Sequence, residues 1–169
     1  MRQLRVVIVL LLAFLPCAEG AVLSDFVGIW TMDLVRSESA HQEVPVTAET
    51  LIIRLEGTGV TIETTRSWGG KAPDSHETLS LRLDASETTN TTDGGQTIAA
   101  KARLDGARLV VETARIVNES TVTTMYVYAL AAKGREITVD MTLTVQHGYQ
   151  GATARNTGRG KDIFVRAQR

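Results

Sequence analysis

The chain has 169 residues, with 18 Lys and Arg against 19 Asp and Glu, a formal net charge of −1. That balance argues against nucleic acid as a partner, because phosphate binding needs a basic face. The one cysteine, Cys17, excludes a disulfide framework, and the length suits a single domain with one core.

The N-terminus reads as a leader. Arg2 and Arg5 form a charged start, and residues 6–15 are an unbroken apolar run too short to span a bilayer as a helix. Pro16 ends the run, and Ala18-Glu19-Gly20 offers small residues at a cleavage site. Residues 1–20 are therefore expected to be a signal peptide cut before Ala21, leaving residues 21–169 as one secreted or periplasmic domain. Lipid attachment at Cys17 would need a small residue before it, where Pro16 stands. The cysteine is expected to leave with the leader, and thiol chemistry with it. Removing Arg2, Arg5 and Glu19 leaves 16 basic against 18 acidic residues. No later apolar run is long enough to span a membrane.

Residues 26–34 alternate as a strand does, with Phe26, Gly28, Trp30, Met32 and Leu34 on one face. Residues 35–47 are polar, contain Pro45 and read as a connection with room for a short helical turn. Residues 49–56 and 60–66 make a hairpin around Gly57-Thr58-Gly59, with Leu51, Ile53 and Leu55 on one face of the first arm and Val60, Ile62 and Thr64 on one face of the second. Residues 68–74 are a loop, and residues 77–83 a strand with Leu79, Leu81 and Leu83 inward. Residues 85–96 read as a frayed strand and a turn. Residues 97–104 and 108–116 pair across Asp105-Gly106, a strong hairpin signal. Residues 121–130 and 136–145 form the last long hairpin, and Ile137, Val139, Met141, Leu143 and Val145 give the clearest period-two run. Residues 146–160 read as a polar loop and residues 162–166 as a short closing strand. The fold class is all-β: an antiparallel up-and-down meander of roughly eight to ten strands, curled into a barrel that removes its edges.

A spaced set of residues carries a resemblance. It runs through Phe26-x-Gly28-x-Trp30-x-x-Asp33-x-x-x-Ser37, Glu49-Thr50-Leu51-x-Ile53 and Leu104-Asp105-Gly106-x-x-Leu109-Val110-Val111-Glu112. It ends with Tyr126-x-Tyr128-x-Leu130 and Gly134-x-Glu136-Ile137-Thr138-Val139. With this set the chain resembles small secreted bacterial proteins with a lipocalin-like domain, most without an assigned activity. The resemblance implies that Arg166 packs over Trp30, with Gly28 leaving room on the same strand. Both Trp30 and Arg166 are then structural, the ring plugging the closed end and the guanidinium stacking on it.

No chemical motif survives inspection. His76-Glu77-Thr78-Leu79-Ser80 begins like a zinc-protease helix, but Ser80 stands where the second histidine belongs. Gly158-Arg159-Gly160-Lys161 lacks the spacing and the Ser or Thr of a phosphate loop. His41 and His147 have no local ligand partners, and there is no Gly-x-Ser-x-Gly elbow. Asn90-Thr91-Thr92 and Asn118-Glu119-Ser120 match only the loose glycosylation pattern. No catalytic residue, metal or cofactor is assigned. Tyr126 and Tyr128 share a face with Val122, Thr124 and Leu130; if that face is interior, Tyr126, Tyr128, Thr124 and Met141 are candidates to line a ligand cup. Two readings stand: a non-catalytic barrel holding a small apolar or amphiphilic ligand, and a packed interaction module, an inhibitor or envelope scaffold, acting through loops around Trp68 or residues 146–160.

Overall fold

The computed structural model describes residues 23–147 and 155–168; the leader expectation lies outside them. One helical turn, α1 (Leu23–Phe26), leads into β1 (Gly28–Met32), and a 3₁₀ turn at Glu38–His41 interrupts the connection to β2 (Ala48–Glu56). Then follow β3 (Gly59–Ser67), β4 (Ser75–Arg82), β5 (Thr88–Thr91), β6 (Thr97–Asp105) and β7 (Arg108–Val117). The last strands are β8 (Ser120–Ala131), β9 (Glu136–Gln146) and β10 (Arg155–Arg166).

All ten strands form one sheet in the order β4-β3-β2-β1-β10-β9-β8-β7-β6-β5, and every ladder is antiparallel. The chain is an up-and-down meander whose two ends, β1 and β10, pair with each other. The barrel is nearly closed. Its ladder stops between β4 and β5, where Asn90 closes the gap from inside its own strand: its Oδ1 accepts from the Ser80 backbone N–H at 2.7 Å. A single bridge, Asp84 to Arg103, and an Ala85 N–H bond to the Ala102 carbonyl hold the lower part of the seam. The side chain of Asn90 is committed to this seam and buried, so its role in the Asn90-Thr91-Thr92 triplet is structural.

Several elements differ from the expectation for local reasons. β1 spans less than residues 26–34. Phe26 ends α1 instead, where its carbonyl accepts the Trp30 indole N–H at 2.8 Å. At the other end the Asp33 carboxylate accepts from the Val35 and Arg36 backbone N–H groups, which turns the chain and leaves Leu34 exposed. In the β6–β7 hairpin the two central residues are Gly106 and Ala107, with Asp105 opposite Arg108 in the ladder and ion-paired to it at 2.6 Å. Gly106 alone takes positive φ there, at +60°.

The largest correction is β10, which starts at Arg155 within the expected loop. Its first half, through Lys161, pairs with β9 on one side only, because β1 reaches no further than Phe164 opposite Met32. That half faces solvent, so polar and glycine residues are tolerated, and no apolar alternation marks it as a strand. Gly158-Arg159-Gly160-Lys161 lies within it.

The core sits at the end where β2 turns into β3 and β8 into β9. Phe26, Trp30, Ile53, Val60, Leu109, Ile137 and Phe164 fill it. Alternation places them correctly in β2, β3, β7 and β9, while Leu55 lies beyond the core and is exposed.

Candidate functional site

The opposite end of the barrel is hollow. A cavity of about 650 Å³ lies above the core. Leu51, Ile62, Leu79, Tyr128, Val139 and Phe164 form its apolar floor. These residues belong to β2, β3, β4, β8, β9 and β10, and period-two geometry turns each of them inward.

The walls nearer the mouth are charged. Glu49 and Arg66 are directly opposed across β2 and β3 and form a bidentate pair, Nε to Oε2 at 2.7 Å and Nη2 to Oε1 at 3.0 Å. Glu49 is 3% exposed. Burial pushes its carboxyl above the usual range, more than Arg66 draws it down. Burial works against the charge on Arg66, but Glu49 outweighs it and keeps the guanidinium firmly protonated. Arg115 of β7 reaches across the β4–β5 seam to Glu77 of β4, Nη1 to Oε2 at 3.2 Å. Asp162, 8% exposed, points inward from β10, and its oxygens accept from the Ser39 backbone N–H at 3.0 Å and the Ser39 hydroxyl at 2.6 Å. The 3₁₀ turn is thereby tied to the barrel wall.

Trp68, Asp74 and the turn Thr92-Asp93-Gly94 complete the mouth. Trp68 is half-buried and packs against the core cluster, so it does not stand out as an exposed docking residue. Tyr126 lies between floor and mouth. Burial first, then Glu77, raises its phenol pKa; burial and neighbouring Tyr126 raise that of Tyr128 further. The two rings are tilted at 36° with centroids 6.3 Å apart.

Of the candidate cup residues, Tyr126, Tyr128 and Met141 line this cavity, and register places Tyr126 opposite Met141. Thr124 does not. It is buried on the same face, but its short side chain stays at the sheet surface between its register partners Thr113 and Leu143, while the longer Tyr126 reaches into the space. Trp30, Gly28 and Arg166 lie away from the cavity, where Arg166 stacks on Trp30 beside Gly28. His76 is on a strand, where helical ligand spacing has no meaning. Among the described residues no group of three or more His, Cys, Asp or Glu could hold a metal ion.

The charged wall was not singled out from the sequence, although a signal was there. Glu49 is in phase with Leu51 and Ile53, Arg66 with Val60 and Ile62, Glu77 with Leu79 and Leu81, and Arg115 with Leu109 and Val111. A charge on the apolar phase of a strand marks a polar interior.

With the ladder order and the polar-mouthed cavity in place, the architecture is decided. The fold is that of the lipocalin and fatty-acid-binding barrels. Solved structures share it over nearly their whole length. Apo lipid binding protein 8 of Caenorhabditis elegans has a TM-score of 0.56 at 11% identity, covering 87% of this chain and 99% of that one. Fatty-acid-binding protein 1 of Echinococcus granulosus gives 0.53 at 14%, covering 86% and 99%. A Schistosoma mansoni fatty acid binding protein in complex with arachidonic acid gives 0.51 at 13%, covering 86% and 98%. At these identities the likeness is one of fold. No protein-family model and no curated protein sequence matches the chain. Among the described residues no helix is long and apolar enough to cross a membrane.

Proposed function

We propose that this chain is a non-catalytic binding barrel that holds a small amphiphile in its cup, apolar tail against the floor and polar head at the charged wall. The cavity carries this reading. Its volume of about 650 Å³ falls within the range of small-molecule sites, roughly 300–1,000 Å³. Its floor is aliphatic and aromatic, and its polar groups converge at one end. Structural neighbours named as lipid- and fatty-acid-binding proteins support the same use of the fold. The leader adds the compartment: the domain acts after export, in the periplasm or outside the cell, as the resemblance to secreted bacterial lipocalin-like proteins suggests.

A dodecyl-chain probe tests the cavity, titrated below its micelle concentration and followed by emission from Trp68 at the mouth. The expected result is saturable binding by the parent and none by Thr64→Phe, which fills the cavity from β3. Equal binding by both would place the probe elsewhere and remove the reading. Intact mass of the exported protein tests the leader; a chain beginning at Met1 would refute it.

A further inference from the structure

We propose that the cavity selects an amphiphile with a cationic head, such as a long-chain amine or quaternary ammonium, over a fatty-acid anion. This rests on the reading of the cavity as a binding site and adds the charge of its ligand.

The ion pairs are the first reason. A carboxylate head needs a cation free to receive it. Among the described residues the cavity is lined by two guanidinium groups, Arg66 and Arg115, and both are already engaged. Arg66 is held in two parallel bonds by Glu49 and lies within the field of Asp162 as well. A ligand carboxylate would have to displace Glu49, stranding it nearly buried beside Asp162, which raises its cost further.

The charge count is the second reason. Among the described residues five carboxylates line the cavity, at Glu49, Asp74, Glu77, Asp93 and Asp162, against the two guanidinium groups. The carboxylates thus outnumber the guanidinium groups by three. Among the described residues the Asp162 carboxylate accepts hydrogen bonds from Ser39 alone, and no Lys, Arg or His forms an ion pair with it. In a partly enclosed, low-dielectric cup such an excess attracts a cation and repels an anion.

Aromatic rings are the third. Trp68, Tyr126 and Tyr128 line the same space. The π-systems of Trp68 at the mouth and Tyr126 below it carry a negative quadrupole that favours a cationic head, and quaternary ammonium is the group such surroundings suit best. The rings are independent of the carboxylates and point to the same ligand class.

Three probes with one dodecyl tail make the test: dodecyltrimethylammonium, the uncharged dodecyl maltoside and laurate, each below its micelle concentration. The cation should bind at least about tenfold more tightly than laurate at low salt, with the ratio shrinking as salt rises. In Asp74→Asn/Asp93→Asn, which alters only exposed loop residues, the ratio should fall about threefold. Laurate binding as tightly as the cation, or more so, overturns this inference and leaves the cavity reading intact. Binding of none of the three removes the cavity reading and this inference with it. Cation binding retained by Thr64→Phe would lie on the surface and also overturns it.

Discussion

Trp30 and Arg166 face each other directly across β1 and β10, and the Arg166 guanidinium carbon lies 4.1 Å from the centre of the indole ring. The guanidinium is not held by stacking alone. It donates to the carbonyls of Gly134 at 3.1 Å, Val27 at 2.7 Å and Asp25 at 2.7 Å. One side chain thus ties the entry to β1, the β8–β9 turn and the end of β10 around a buried tryptophan.

Trp30→Ala should cost about 3–5 kcal/mol, as for truncation of other buried aromatics. Arg166→Ala should cost less, because the guanidinium edge reaches solvent. The two losses should not add, since each variant removes the same stacking. Urea unfolding of both single variants and the double is the measurement; strict additivity would show that the contact carries no coupling.

Gly28 is the third member of this cluster. Its φ is +150°, outside the range that L side chains adopt freely, and a Cβ there would lie 2.5 Å from Arg166 Nη1. Gly28→Ala should therefore destabilise by about 1–3 kcal/mol. Part of the loss is backbone strain and part is collision with Arg166. In an Arg166→Ala background the cost of Gly28→Ala should be smaller, and an unchanged cost would assign it wholly to the backbone.

The Glu49–Arg66 pair should behave as a buried ion pair. Glu49→Gln leaves a largely enclosed guanidinium without its counter-charge and should cost about 3 kcal/mol. Replacing both, as Glu49→Leu/Arg66→Met, should recover most of that loss, because neither charge is then taken out of water. Chemical denaturation of the three proteins decides this. A double variant no better than Glu49→Gln would mean that the pair supports the wall in some other way.

Acid should loosen the β4–β5 seam. The Ser86 hydroxyl, with help from Arg82 and the Ser86 backbone N–H, holds the Asp84 carboxyl well below its ordinary value. A lowered folded pKa means that the ionised form favours the fold. Its contribution is fully present above the unfolded value of about 3.9 and is lost as pH falls from there toward the folded value. The stability gap between the parent and Asp84→Asn should be constant from neutral pH to about pH 5 and should close below about pH 4. Urea midpoints across that range measure it; a gap that widens in acid would reverse the sign.

Alternation alone was enough to place β2, β3, β4 and the four strands from β6 to β9, because each is half-buried and its sequence repeats the two-residue period of a pleated strand. The same period put Trp30, Ile53, Val60, Ile62, Ile137 and Val139 on the inner face. Only the first half of β10 escaped, because it has a ladder partner on one side only and no apolar face to show; residues 162–166 were legible as a closing strand. Which of the site's charged groups meet was a tertiary matter. The Arg115–Glu77 contact joins β7 to β4 across a seam that no local pattern marks, and Asp162 meets Ser39 from 123 positions away. Alternation states which residues turn inward, but not how far the opposite wall stands. Whether those side chains meet in a packed core, as around Trp30, or line a cup, as around Tyr126, depends on how the whole sheet curls and where it is left unpaired.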